Sequence, residues 1–206
     1  MASRLASQSL GRLNLKSTAF LLCDVQERFR SGIHAFESVV QVAQKMSAAS
    51  KILQIPLIVT EQHPRGLGST VNEIPIDHAA LIEAKTKFSM LTPGVASKLE
   101  ELQTKSVVLY GIETHVCVLQ TCLDLLEHNF DVHVLADGVS SMNFPEVDIA
   151  LKRMALCGAH VVSSESVIFQ LTNDAKHPNF SAVRDLVKEY QQAARQNRLL
   201  FKDAHL

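Results

Sequence analysis

Neither sign of charge dominates this chain: 20 Lys and Arg stand against 21 Asp and Glu, a formal net charge of −1 over 206 residues. That balance leaves no basic footprint for nucleic acid and no acidic tail. No apolar run reaches the ~18 residues that a membrane span needs. Nucleic acid and membrane are therefore not expected as partners. The four cysteines (Cys23, Cys117, Cys122 and Cys157) include no CxxC pair and no Cys/His knuckle. Scattered through apolar segments, they read as reduced thiols of an intracellular chain and not as a disulfide framework. The sequence also lacks a GxGxxG after its first strand and a phosphate-cradling GK[ST], which argues against a nucleotide-binding redox domain. Before Asp24 there is no acidic residue, while Arg4, Arg12 and Lys16 mix with Ser and Leu. A short flexible leader over residues 1–17 fits that composition, in a cytoplasmic protein. An organelle transit peptide, and so a mitochondrial location, is the alternative.

What is present is a good core. A chain that is 47% hydrophobic and of this length suits one domain, here residues 18–206, needing no covalent staples. Short apolar runs alternate with amphipathic stretches. AFLLCDV (19 to 25), IPLIVT (55 to 60), residues 79 to 84, SVVLYG (106 to 111), DVHVLAD (131 to 137) and AHVVS (159 to 163) read as strands. Helices are expected over 36 to 54, 94 to 103, 115 to 128, from Pro145 to Cys157, and over 180 to 196, with HPRGLG (63 to 68) as a loop. The alternation predicts βαβ units with right-handed crossovers, giving a three-layer α/β/α sandwich around a mainly parallel, about six-stranded, Rossmann-like sheet. Ligands of such sheets bind beyond the carboxyl ends of the strands, where the strand order reverses.

Three reactive side chains fall at such ends. Asp24 closes the first strand, Lys85 follows the third, and Cys117 opens the helix after the fourth. A helix N-terminus favours negative charge through its unpaired N–H groups and its dipole. An Asp closing an apolar run is costly to bury unless it is paired or used. Together the three make a base, a cation and a nucleophile. Taken singly, each has a plain structural explanation: a loop cap, a solvated lysine and a packing thiol.

Four blocks carry a resemblance: FLLCDVQERFR (20 to 30), EAKTKFSM (83 to 90), GIETHVCVLQTCLDL (111 to 125) and VHVLADGVSS (132 to 141). In this order and at these separations the sequence resembles the isochorismatase-like cysteine hydrolases, most of all the animal isochorismatase domain-containing proteins. The resemblance implies that Asp24 is the general base, Lys85 its partner and Cys117 the nucleophile. Lys87, two residues along, is the runner-up to Lys85. It further implies a cis Ile112–Glu113 bond, with the N–H groups of Glu113 and Cys117 as an oxyanion hole. A small-molecule substrate, no cofactor, and a homo-oligomer (dimer or tetramer) are expected.

Some metal-binding relatives carry an Asp-x-His…His set after the second strand. Here TEQHPRGLGST (60 to 70) offers Glu61 and His63, and the next histidine is His78. Two candidate ligands make a poor site, so no metal is expected. Gln26, Phe29, His63, Phe88 and His115 are candidates for contacting substrate, with Phe144 as a further pocket wall. Cys23 is expected to face away from Asp24 by strand alternation, and Cys122 and Cys157 to lie in the core. The reading that follows is a metal-independent hydrolase of a small amide or related compound. Its alternative is a non-catalytic binding or regulatory protein that keeps the fold.

Overall fold

The computed structural model describes residues 10–200. Six strands form one all-parallel sheet: β1 (Thr18–Cys23), β2 (Leu57–Gln62), β3 (Leu81–Lys85), β4 (Ser106–Ile112), β5 (Asp131–Ser140) and β6 (His160–Val162), in the order β3-β2-β1-β4-β5-β6. The order reverses between β1 and β4, which lie side by side with Cys23 opposite Gly111. Every residue of β1 and of β4 is buried. Strands covered on both faces have no polar-out alternation to preserve, which is why they read as continuous apolar runs.

Among the described residues, eight α-helices accompany the sheet: α1 (Phe36–Leu53), α2 (Pro64–Leu67), α3 (Pro93–Glu101), α4 (Leu119–Glu127), α5 (Pro145–Leu156), α6 (Ser164–Thr172), α7 (Phe180–Glu189) and α8 (Gln191–Arg195). Two apolar clusters sandwich the sheet. Phe20 and Leu22 of β1 join Val39, Val40 and Met46 of α1, Ile168 of α6 and Val183 of α7. Ala19, Leu21 and Cys23 join Leu99 of α3, Leu125 of α4 and Met154 of α5. Alternate residues of one strand thus feed opposite layers, as the pleat requires. This is the expected three-layer sandwich.

The differences from the sequence reading are local. α6 directly follows β6: Ser163 caps it, its hydroxyl accepting from the Ser166 N–H at 3.3 Å, and the Asp137 carboxylate accepts from the Ser164 N–H at 2.8 Å and from the Ser164 hydroxyl. The Asp137 contact, 27 residues away, leaves no local signal. The C-terminal helix is broken at Tyr190, which closes α7 and precedes α8. HPRGLG holds the one-turn α2, with Pro64 in its first turn. Of the leader, residues 1–9 lie outside the described residues. Residues 11–17 lie against the domain: Gly11 is buried, Leu13 donates its N–H to Gln170 Oε1 at 2.8 Å, and Leu13 and Leu15 pack on the core.

One core residue carries a pH dependence. His133 of β5 is 1% exposed, neither ring nitrogen has a hydrogen-bond partner among the described residues, and its ring lies 4.9 Å from that of His160. Burial, then the neighbouring imidazole, pushes its pKa down to about 4. The unfolded chain takes up a proton near the ordinary value, at about 6.5, and the folded chain does not. Stability is therefore full above that value and falls as pH drops toward 4, by up to about 3 kcal/mol. Urea titrations at pH 7 and pH 4.5 check this: His133→Leu is expected to lose less stability on acidification than the wild type.

Candidate active site

The residue immediately after each of three neighbouring strands is left-handed: Asp24 (φ 55) after β1, His63 (φ 38) after β2 and Glu113 (φ 58) after β4. A non-glycine residue costs roughly 1–2 kcal/mol in that region, and such strain collects at functional sites. At β1 the consequence is direct. The left-handed turn breaks the alternation of the strand, so the Asp24 carboxylate comes back onto the side of Cys23, with Oδ2 3.6 Å from the Cys23 thiol. The expectation that Cys23 faces away from Asp24 is corrected by this one dihedral.

Asp24 is 1% exposed and fully engaged. Its Oδ1 accepts from the Thr60 hydroxyl at 2.7 Å, and its Oδ2 accepts from Lys85 Nζ at 2.6 Å. The Lys85 ammonium, with its side chain 0% exposed, also donates to Gln62 Oε1 at 2.7 Å, to the Phe88 carbonyl at 2.8 Å and to the Lys87 carbonyl at 3.2 Å. A buried ion pair survives only when its remaining hydrogen-bonding capacity is met, and here both partners are supplied. Lys87 does not compete for the place: β3 ends at Lys85, the chain bends, and Lys87 Nζ pairs with Asp124 of α4 at 2.7 Å, with its side chain 55% exposed.

Cys117 lies in a π-turn, Thr114–Val118, that leads into α4. The Val118 N–H reaches back five residues to the Glu113 carbonyl at 3.2 Å. Widened turns of this kind are common at functional sites. The expected cis Ile112–Glu113 bond is not there: no peptide bond among the described residues is cis, and the left-handed Glu113 makes the turn by itself. Cys117 is 6% exposed and has Cys23 as a side-chain neighbour. Cys23 thus contacts Asp24 and neighbours Cys117. The approach of β4 depends on Gly111 (φ 134), where a Cβ would fall 2.1 Å from the Cys23 carbonyl oxygen.

The other candidates are spread around this centre. Gln26, 0% exposed, donates to the Gln62 and Gly68 carbonyls at 2.9 and 2.5 Å and accepts from the Gln62 N–H at 2.7 Å. Its amide ties the β2 end to the following loop. Phe29 is half-buried against the core, and Phe144 stacks on His34 at 3.9 Å. His63 is exposed. Phe88 is 50% exposed, directly beside the carbonyl that holds Lys85. His115 is half-buried, with Nδ1 3.0 Å from the Ser141 hydroxyl and 3.6 Å from Glu113 Oε2. Cys122 is a core thiol, pushed up to about 12 by burial, whereas Cys157 is exposed at the C-terminal end of α5, contrary to expectation.

The donor set for a metal does not assemble. Glu61 Oε1 accepts from the Thr70 N–H and hydroxyl at 2.7 and 2.9 Å, and His78 bonds Ser50 at 2.6 Å. Among the described residues, no three His, Cys, Asp or Glu side chains converge as ligands. Sequence reasoning missed Thr60, Gln62 and Cys23 as members of the site. Thr60 and Gln62 carry no signal in one sequence beyond lying at the end of β2, next to β1.

The family model for the isochorismatase domain matches residues 18–166. The chain is 46% identical over 180 residues to isochorismatase domain-containing protein 1 of Salmo salar, covering 87% of this chain but 64% of that protein. It therefore spans less than two thirds of that relative's length. It is also 46% identical to isochorismatase domain-containing protein 2 of Xenopus laevis, over 87% of this chain and 88% of the relative. Among solved structures, a MAR1 ribonuclease from Caenorhabditis elegans superposes with a TM-score of 0.82 at 41% identity, over 86% of this chain and 92% of that one.

Removing the lysine tests the heart of this site. Lys85→Met leaves a buried carboxylate with no counter-charge and is expected to destabilise the fold by about 3–5 kcal/mol. Lys87→Met, which breaks only a surface pair, is expected to cost under about 1 kcal/mol. Chemical denaturation of the two variants side by side measures the difference.

Proposed function

The chain belongs to the isochorismatase family, and from that premise we propose that it is a metal-independent cysteine hydrolase of a small amide or related compound. The observation that carries the reading is the buried Lys85–Asp24 pair at 2.6 Å, set at the switch point with Cys23 as a common neighbour of Asp24 and Cys117.

In this mechanism Asp24 takes the proton of the Cys117 thiol, and the sulfur attacks the substrate carbonyl. Charge develops on the carbonyl oxygen, where the N–H groups of Glu113 and Cys117 are the proposed donors. The leaving amine takes the proton back from Asp24. Water then attacks the acyl-enzyme with Asp24 again as base, and the acid leaves as the thiol is restored. Lys85 stays a cation throughout, holding the Asp24 carboxylate in place. His115, Phe88, Phe29 and His63 are the proposed substrate contacts, while Gln26 supports the wall behind them. Neither the fold nor a triad fixes one reaction, so the substrate class rests on the chemistry of the nucleophile.

The Caenorhabditis elegans relative is described as a ribonuclease. For this chain, a net charge of −1 and a nucleophile that is 6% exposed favour a small substrate over a polynucleotide. All four cysteines are free, which suits a reducing compartment. The cytoplasm is the proposed location and the mitochondrial matrix the alternative; no described helix is long and apolar enough to cross a membrane. Assembly is proposed too, because α5 presents Ile149 at 61% and Leu156 at 88% exposure. Sedimentation equilibrium is expected to give a dimer or tetramer, and a concentration-independent monomer would remove that part.

The decisive experiment is iodoacetamide labelling followed by mass spectrometry. Cys117 is expected to react at least about ten times faster than Cys122, whose thiol burial holds protonated. Asp24→Asn is expected to slow Cys117 and change its pH profile. The same preparations are assayed on a panel of small amides and on RNA. Turnover of an amide that is lost in Cys117→Ala supports the hydrolase. A Cys117 no faster than Cys122, with no turnover, favours the non-catalytic binding protein.

A further inference from the structure

Cys23 has no task in the hydrolysis proposed above, yet it is built into the same centre. Its Sγ lies 3.6 Å from Asp24 Oδ2, and Cys117 is its neighbour within the same buried apolar layer. The two thiols differ in access, since Cys23 is 0% exposed and Cys117 6%. They are brought together by the main chain: Cys23 pairs with Gly111 in the β1–β4 register, and Gly111 has no Cβ to hold the strands apart. The π-turn of residues 114–118 then carries Cys117 into the same apolar layer as Cys23.

We propose that Cys23 is the resolving thiol of Cys117, so that a hydroperoxide converts the pair into a reversible Cys23–Cys117 disulfide that masks the nucleophile. The proposal rests on the reading of Cys117 as a reactive thiol. In the first step the Cys117 sulfur attacks the distal oxygen of the hydroperoxide. An S–O bond forms, the O–O bond breaks, and the alcohol leaves, with sulfur oxidised by two electrons and the peroxide reduced. In the second step the Cys23 sulfur attacks the sulfenic sulfur of Cys117. The S–S bond forms, the S–O bond breaks, and the hydroxyl leaves as water with the proton that Cys23 gives up through Asp24. A dithiol reductant then reduces the disulfide by exchange, is itself oxidised to a disulfide, and restores both thiols.

The geometry supports this division of labour. The exposed edge of the pair is Cys117, so peroxide meets it first. Burial above all, then the contact with Cys117 and the Asp24 charge, pushes the Cys23 thiol well above its ordinary range, so it remains protonated until a sulfenic acid stands beside it. The carboxylate that receives its proton is already in contact. Such a pair diverts the sulfenic acid from irreversible oxidation to sulfinic acid.

The test uses the full, reduced protein. It is treated with hydrogen peroxide, blocked with N-ethylmaleimide under denaturing conditions and digested without reductant for peptide mapping. A linked peptide pair containing Cys23 and Cys117, released by a phosphine, is the expected result, with Cys122 and Cys157 still alkylated. In Cys23→Ser, dimedone is expected to trap at least about ten times more sulfenic acid at Cys117 than in the wild type. The wild-type mapping stands even where the variant folds poorly. If peroxide leaves Cys117 as sulfenic or sulfinic acid with Cys23 still free, or links Cys117 to Cys122, the resolving role is overturned and the hydrolase reading survives. If Cys117 is inert to both iodoacetamide and peroxide, both readings fall.

Discussion

The site hangs on one interaction, the ion pair between Lys85 at the edge of the sheet and Asp24 near its middle. Two charges removed from water cost several kcal/mol each unless the surroundings restore what water supplied. Thr60 restores one acceptor contact of the carboxylate, and Gln62 with two carbonyls restores those of the ammonium. Each of these partners comes from the end of β2 or from the bend after β3. The pair therefore fixes more than two side chains: it fixes how three strand ends close over one point. The loop of residues 63–70 is held to the same point by Gln26, through Gln62 and Gly68.

Against that background, the two thiols have distinct meanings. Cys117 is the less deeply buried of the two, on a turn whose carbonyls and N–H groups are displaced from the ordinary helical ladder. Cys23 occupies the floor of the centre, as part of the apolar layer beneath α3, α4 and α5. An apolar floor with one polarisable thiol against a carboxylate is an unusual use of a core position. Burial accounts for the packing of Cys122, whereas the contact of Cys23 with Asp24 comes from the left-handed turn after β1.

The sheet was legible because fully buried parallel strands write themselves as unbroken apolar runs, and β1 and β4 are such runs. Asp24, Lys85 and Cys117 stood out because each follows a strand that the pattern already marked. What the sequence hid was backbone conformation. Nothing in CDVQ announces that Asp24 is left-handed, and that single dihedral reverses the expected relation of Asp24 to Cys23. The π-turn before α4 hid in the same way, because the helical spacing of Val118, Leu119 and Cys122 continues through it. α6 was missed because a single residue, its N-cap Ser163, separates it from β6, and the choice between Lys85 and Lys87 turned on where β3 stops.

The strand order has a consequence for when this protein acquires its chemistry. Asp24 and Lys85 belong to the β1–β3 half, and Cys117 to the β4–β6 half. The β1–β4 seam joins segments remote in sequence and carries the entropy of closing a long loop. Base and cation stand on one side of that seam and the nucleophile on the other. The centre therefore exists only where the seam has closed, and its reactivity reports that closure.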